Sequence, residues 1–218
     1  MLLYRYKSLE HLEHVADILI NQRLYCSPYY ALNDPMEGLL VHSRMIPPCA
    51  LWPKGIMCHT QKCVDDIVGG EDYVEFRVCS LSSDLGDVRL WSHYGGSHTG
   101  IAIEIDVSGC HDKFRKVNYG NALFRFCDPK YADPSPIEVL SYKTWHWEHE
   151  REYRIIGTHN YYPINGMIRR VIMGVNCKRT SRDVLKRLLP DSASLVRAKL
   201  DTDKLRIVVQ EDIAGHYE

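Results

Sequence analysis

Residues 101 to 106, Ile-Ala-Ile-Glu-Ile-Asp, put three isoleucines on one side of an extended backbone. A β-branched residue at every second position is a strand signature, because i, i+2 and i+4 line one face of a sheet. Similar runs predict strands at 2–6, 23–26, 74–81, 114–119, 153–157, 168–175, 195–199 and 204–210. About three helices are expected among them. One follows Ser8 as N-cap with Leu9, Leu12, Ala16 and Leu19 at helical spacing and ends near Asn21. A short one lies within 85–94, and one at 179–189 has Thr180 or Ser181 to cap it. Strands do not alternate regularly with crossover-length helices, which favours α+β with mixed, mostly antiparallel sheets over a doubly wound parallel sheet. Asn33-Asp34-Pro35 is turn chemistry. Residues 40–75, with Pro47, Pro48, Pro53 and Gly69-Gly70, read as an irregular excursion within a single domain spanning 1–218.

A chain of 218 residues that is 45% hydrophobic and 25% charged is ordinary for a folded domain with a proper core. Its formal net charge of -1 carries no basic footprint of duplex nucleic-acid binding. One local excess of base, from Arg169 to Arg206, reads first as a solvated helix face and second as a patch for a polyanion. Neither a signal-peptide build nor a run of apolar residues of membrane-spanning length is visible, so a cytoplasmic protein with free thiols and no membrane partner is expected. Cys49, Cys58, His59 and Cys63 lack the paired spacing of a zinc site, and no metal is expected.

The stretch leading into the 101–106 strand is unusually rich in chemistry. Trp91-Ser92-His93-Tyr94-Gly95-Gly96-Ser97-His98-Thr99-Gly100 combines aromatic, ionisable and hydroxyl side chains with three glycines. A mere connection needs none of the aromatic groups. A small-molecule pocket needs apolar walls, a few polar anchors and a close-approaching backbone. The second cluster is Glu150-Arg151-Glu152-Tyr153-Arg154. On a strand Glu150, Glu152 and Arg154 share a face, either solvated or lining a cleft beside Trp145, Trp147, Ile155 and Ile156. No nucleophile elbow, dinucleotide fingerprint or phosphate loop is present.

Tyr4-Arg5-Tyr6, Leu32-Asn33-Asp34-Pro35-Met36-Glu37, Trp91-Ser92-His93-Tyr94, His98-x-Gly100 and Trp147-x-x-Glu150-x-Glu152-x-Arg154 occur in that order over about residues 2 to 175. Together they resemble the bacterial and phage-borne family catalogued as domain of unknown function 2971, whose layout is similar to the ADP-ribosyltransferase superfamily. Tyr4-Arg5-Tyr6 departs from that family's more usual Tyr-Lys-Tyr. The resemblance implies a split β-sandwich that uses NAD as substrate, cleaves its nicotinamide–ribose bond and passes ADP-ribose to a protein, nucleic-acid or small-molecule acceptor, in conflict between bacteria and phage. It implies catalysis by Glu150 or Glu152, with Arg5, Tyr6, Trp91, His93, Tyr94, His98 and Arg154 binding the nucleotide. Two other readings stay open: a non-enzymatic nucleotide-binding module, and a metal-dependent nuclease or phosphoesterase built on Asp34, Glu37, His93 and His98.

Overall fold

The computed structural model describes residues 1–46, 56–68, 75–127 and 134–210. Its centre is a nine-stranded sheet. In chain order its main strands are β1 (Leu2–Lys7), β2 (Arg77–Ser82), β3 (Ile101–Asp106), β4 (Arg115–Lys116), β5 (Glu152–Gly157), β6 (Ile168–Met173), β7 (Ser194–Asp201) and β8 (Arg206–Val209). Across the sheet they run β8-β7-β6-β3-β1-β2-β5-β4, and the two-residue strand Ser27–Pro28 adds to β2. Every pairing in this sheet is antiparallel except β6 with β7. The α+β class and the mixed, mostly antiparallel sheet agree with the sequence.

The isoleucine periodicity does what it predicts. Ile101, Ile103 and Ile105 pack with Leu3, Val171, and with Val15, Ile18 and Leu19 of helix α1 (Leu12–Asn21). Leu185 of helix α3 (Arg179–Leu188) joins the same cluster. The opposite face is covered too: Ala102 and Ile172 pack with Tyr6 and with Leu90 and Trp91 of helix α2 (Val88–His93). Glu104 lies on this covered face, and Arg170 holds it by two hydrogen bonds of 2.7 and 2.5 Å. A buried carboxylate needs such a partner.

Several local expectations are corrected. Helix α1 starts at Leu12, not after Ser8, and buries Val15, Ile18 and Leu19 while Leu12 stays exposed. Ser8 instead accepts a bond from the Glu10 amide, 3.2 Å. Lys178 occupies the N-cap of α3, so neither Thr180 nor Ser181 caps it. Among the described residues there are more helical segments than three, but only α1 and α3 reach ten residues. The irregular excursion at 40–75 is in large part sheet: Leu39–Ile46 pairs antiparallel with Ile56–Cys63, and Phe124–Cys127 joins Leu39–Ile46 in parallel. Cys49, Pro47, Pro48, Pro53 and Gly69-Gly70 lie outside the described residues.

The feature that positions the site is a fault in the sheet. β1 pairs with β3 along six residues but meets β2 at one bridge, Tyr4 with Ser82. Beyond that bridge the two strands part, and both edges of the gap line a cleft. No helix among the described residues is long and apolar enough to cross a membrane.

Candidate functional site

The cleft has a volume of about 380 Å³. β1 supplies Tyr4, Arg5, Tyr6 and Lys7 to one side, and β2 supplies Val78, Ser80 and Ser82 to the other. Glu152 and Arg154 of β5 line it as well, together with Glu150 from the turn before that strand. His93 and Tyr94 enter from the end of α2, and Asn33 and Glu37 from the turn around Pro35. Asp87 sets the direction of α2 by capping it, its carboxylate accepting from the Arg89 amide at 2.8 Å. Of the residues expected to form a site, Arg5, Tyr6, His93, Tyr94, Glu150, Glu152 and Arg154 thus surround one opening, though the last two are tied into its wall.

Glu150 is not on a strand. It ends the helical turn Trp145–Glu150, and Arg151 in the left-handed region, φ 43°, redirects the chain into β5. This reversal still delivers Glu150 and Glu152 to the same side. Both are buried, as are Glu37, Lys143 and Arg154. Arg154 grips Glu152 through Nε to Oε1 at 2.8 Å and Nη2 to Oε2 at 2.9 Å. Its Nη1 donates to Glu37 Oε1 and to the Leu140 carbonyl. Lys143 Nζ donates to Glu150 Oε2 at 2.8 Å and reaches Glu152 Oε2 at 3.5 Å. It also sits 4.6 Å over the Trp147 ring. Three carboxylates therefore share two cations in the buried wall of the cleft.

The two glutamates differ in what they have left to offer. Burial alone would raise the Glu152 pKa, but the charges of Arg154 and Lys143 hold it down at about 2. Both its oxygens are committed to those cations, which makes it a fixed anion of the wall. Glu150 has one protein bond at each oxygen, Lys143 on Oε2 and the Tyr94 hydroxyl on Oε1 at 2.6 Å. An ionised carboxylate accepts about four hydrogen bonds, so Glu150 keeps free lone pairs. The Tyr94 hydroxyl in turn accepts from Asn33 Nδ2 at 2.6 Å. Burial and the Glu150 charge push the Tyr94 phenol well above its usual range, so it stays a donor. On Glu37 burial outweighs Arg154 and raises the pKa.

The other end of the cleft is cationic and uncompensated. Arg5 reaches across the gap to the Ser80 carbonyl, an acceptor freed where β1 and β2 part. Among the described residues neither Arg5 nor Lys7 has a carboxylate partner. Burial, and then the neighbouring Arg5, lower the Lys7 pKa from 10.5 to about 8. His11, His14 and Ser8 border the same end. Half-buried cations without anions are costly for the empty protein and favourable for an anionic ligand.

Two expected binding residues are elsewhere. Trp91 is fully buried, edge-on to Tyr6 at 5.2 Å, with Nε1 donating to the Leu85 carbonyl at 2.8 Å. It is a core residue and no ligand wall, because α2 turns Trp91 inward and leaves His93 exposed. His98 does not line the cleft: with φ 68° it sits in a tight turn, its amide on the Trp91 carbonyl and its carbonyl accepting from Asn176. The glycines around it admit neighbouring backbone. A Cβ on Gly100 would stand 2.2 Å from the Lys7 carbonyl oxygen, and one on Gly174 the same distance from that of His98. The turn thus braces the end of β1.

Lys7 and Lys143 were missing from the sequence reading. Lys7 had a signal, since it follows Arg5 at strand spacing, whereas nothing local marks Lys143. No three His, Cys, Asp or Glu side chains converge as a metal cage among the described residues. In the basic segment, Arg170 and Arg206 are paired to Glu104 and Asp84, and Arg197 bonds the Val175 and Cys177 carbonyls. Lys178, Arg179, Arg182, Lys186 and Arg187 remain as an exposed helix face. No known family model matches the chain, and no curated protein or solved structure matches it.

Proposed function

We propose that the cleft binds NAD and cleaves its nicotinamide–ribose bond, transferring ADP-ribose to an acceptor. One observation carries this reading: a single opening joins uncompensated cations, an aromatic hydroxyl and a buried glutamate with spare lone pairs. Arg5 and Lys7 suit the diphosphate. Tyr94 and His93 offer flat surfaces to the nicotinamide ring. Glu150 is the catalytic residue of the proposal, accepting a hydrogen bond from a ribose hydroxyl. That bond strengthens as the ribose takes on oxocarbenium-like charge, so it lowers the barrier by differential binding. Glu152, saturated by Arg154, positions Glu150 through their shared Lys143.

A second reading, a nucleotide-binding module without turnover, is favoured by one fact: each glutamate already has protein partners at both oxygens. Calorimetry with NAD and ADP-ribose, run beside a nicotinamide-release assay, separates the two. Binding with release that Glu150→Gln abolishes supports the transferase. Binding without release supports the module, and no binding of either ligand refutes both.

A further inference from the structure

Cys26 and Cys79 take no part in the proposed chemistry, yet they meet behind the cleft. Ser27 is opposite Val78 and Pro28 opposite Arg77 in antiparallel register, and the Tyr29 amide donates to the Phe76 carbonyl at 3.1 Å. A bond one residue outside the Pro28/Arg77 pair makes that pair the non-hydrogen-bonded kind. Antiparallel ladders alternate, so two residues along, Cys26 and Cys79 oppose each other at the same kind of position. Opposed Cα atoms there lie about 4.5 Å apart with side chains close together, within the roughly 4.4–6.8 Å that a disulfide spans. The Cys26 amide agrees with this register, pointing away from β2 to the Asn160 carbonyl at 2.8 Å. Both thiols are free, and that of Cys26 donates to the Leu24 carbonyl at 3.9 Å.

We propose that Cys26 and Cys79 are a redox-active pair that forms a reversible cross-strand disulfide by exchange with small-molecule disulfides. The neighbouring Cys26 thiol, together with the charges of Arg5 and Lys7, lowers the Cys79 pKa against the effect of burial. Cys79 is therefore the attacking thiolate. It bonds one sulfur of the small disulfide, whose S–S bond breaks to release a first small thiolate. Cys26 then gives up its proton and attacks Cys79 Sγ, expelling the second. Two protein thiols are oxidised, one small disulfide is reduced to two thiols, and the two protons end on the released thiols. Cys79 is fully buried and Cys26 nearly so, so exchange runs through opening of the Ser27–Pro28 pairing. That pairing is two residues long, and Pro28 donates no ladder bond. The crosslink ties Ser27 to the strand carrying Ser80 and Ser82, all three on the cleft wall.

The test equilibrates the full chain with oxidised and reduced glutathione over a range of ratios, quenches with acid, alkylates and maps the peptides. The expected result is a peptide pair linked through Cys26 and Cys79 that appears as the ratio becomes oxidising, vanishes on reduction, and raises Tm. Cys79→Ser and Cys26→Ala should each lose the link and the rise in Tm. The map of the unmutated chain decides the matter even if a variant misfolds. Free Cys26 and Cys79 at every ratio, or linkage of either to a different cysteine, overturns the proposal. The outcome is independent of whether NAD binds.

Discussion

Replacing Glu152 by Gln should remove an acid-sensitive share of stability that can be sized from its surroundings. The carboxylate is buried and held by Nε and Nη2 of Arg154 and by Lys143. Its fall from an ordinary 4.5 to about 2 is worth about 3 kcal/mol, at about 1.4 kcal/mol per tenfold change in proton affinity. A depressed acid contributes fully above its unfolded pKa and loses its contribution as pH falls through the folded one. The window is therefore pH 4.5 down to about 2. Urea unfolding of the parent and Glu152→Gln at successive pH values through it gives the measurement. At neutral pH the variant should be less stable by about 3 kcal/mol, within the range of about 3–5 kcal/mol for breaking a buried ion pair. The gap should shrink steadily below pH 4.5. Carboxylates that share no cation with Glu152 titrate alike in both proteins and cancel in the difference, whereas Glu37, which shares Arg154 with it, contributes to that difference. Parallel acid limbs for parent and variant would refute the view of Glu152 as a cation-saturated anion.

Glu150→Gln keeps a hydrogen-bonding group beside Tyr94 and Lys143, so its urea midpoint should move less than that of Glu152→Gln while nicotinamide release falls at least a hundredfold; equal losses of stability would cancel the division of labour between the two. Tyr94→Phe deletes the donor to Glu150 and the acceptor for Asn33, and should cost about 1.5–3 kcal/mol at the reacting carboxylate, read as a drop in turnover. Lys7 is charged below about pH 8 and neutral above it, so ADP-ribose affinity by calorimetry should weaken as pH rises from 7 to 9, and Lys7→Met should flatten that profile. Trp91→Ala should cost about 3–5 kcal/mol of stability as a core deletion; Trp91→Phe, if folded, should bind NAD as the parent does, and a selective loss of binding would restore Trp91 to the site.

The parts of the fold that the sequence discloses are those whose burial is set locally. β3 shows this best, its three isoleucines meeting one core cluster, and β1 and the short helix α2 also fall where local runs put them. Leu39–Ile46 and Ile56–Cys63 escaped because neither run alternates cleanly and each is a strand chiefly by virtue of the other. Trp91 shows the same limit at a side chain. Its neighbours His93 and Tyr94 face the cleft, and only the helical phase of α2, which aromatic composition does not reveal, turns it toward Tyr6. Lys143 is the extreme case, since it is defined by carboxylates seven and nine residues away across a chain reversal.

The site itself arises from something no periodicity encodes, the parting of β1 from β2 after one bridge. A continuous pairing would bury the backbone edges of both strands and leave no opening. Once they part, each edge needs new partners, and the side chains along it show how this is met. Arg5 crosses to the Ser80 carbonyl, and Ser82 Oγ ties β2 to the Glu150 carbonyl at 2.6 Å. Those two tethers bring a cation to one side of the gap and anchor Glu150 on the other. The charges that suit the cleft to a dinucleotide thus also hold the split sheet together. Mutations that disable binding at Arg5 should therefore lower stability as well, whereas Lys7, which has no carboxylate partner among the described residues and borders the same gap, should be separable. Arg5→Met losing both stability and affinity while Lys7→Met loses affinity alone is the pattern that follows, and a stability loss at Lys7 as large as that at Arg5 would contradict it.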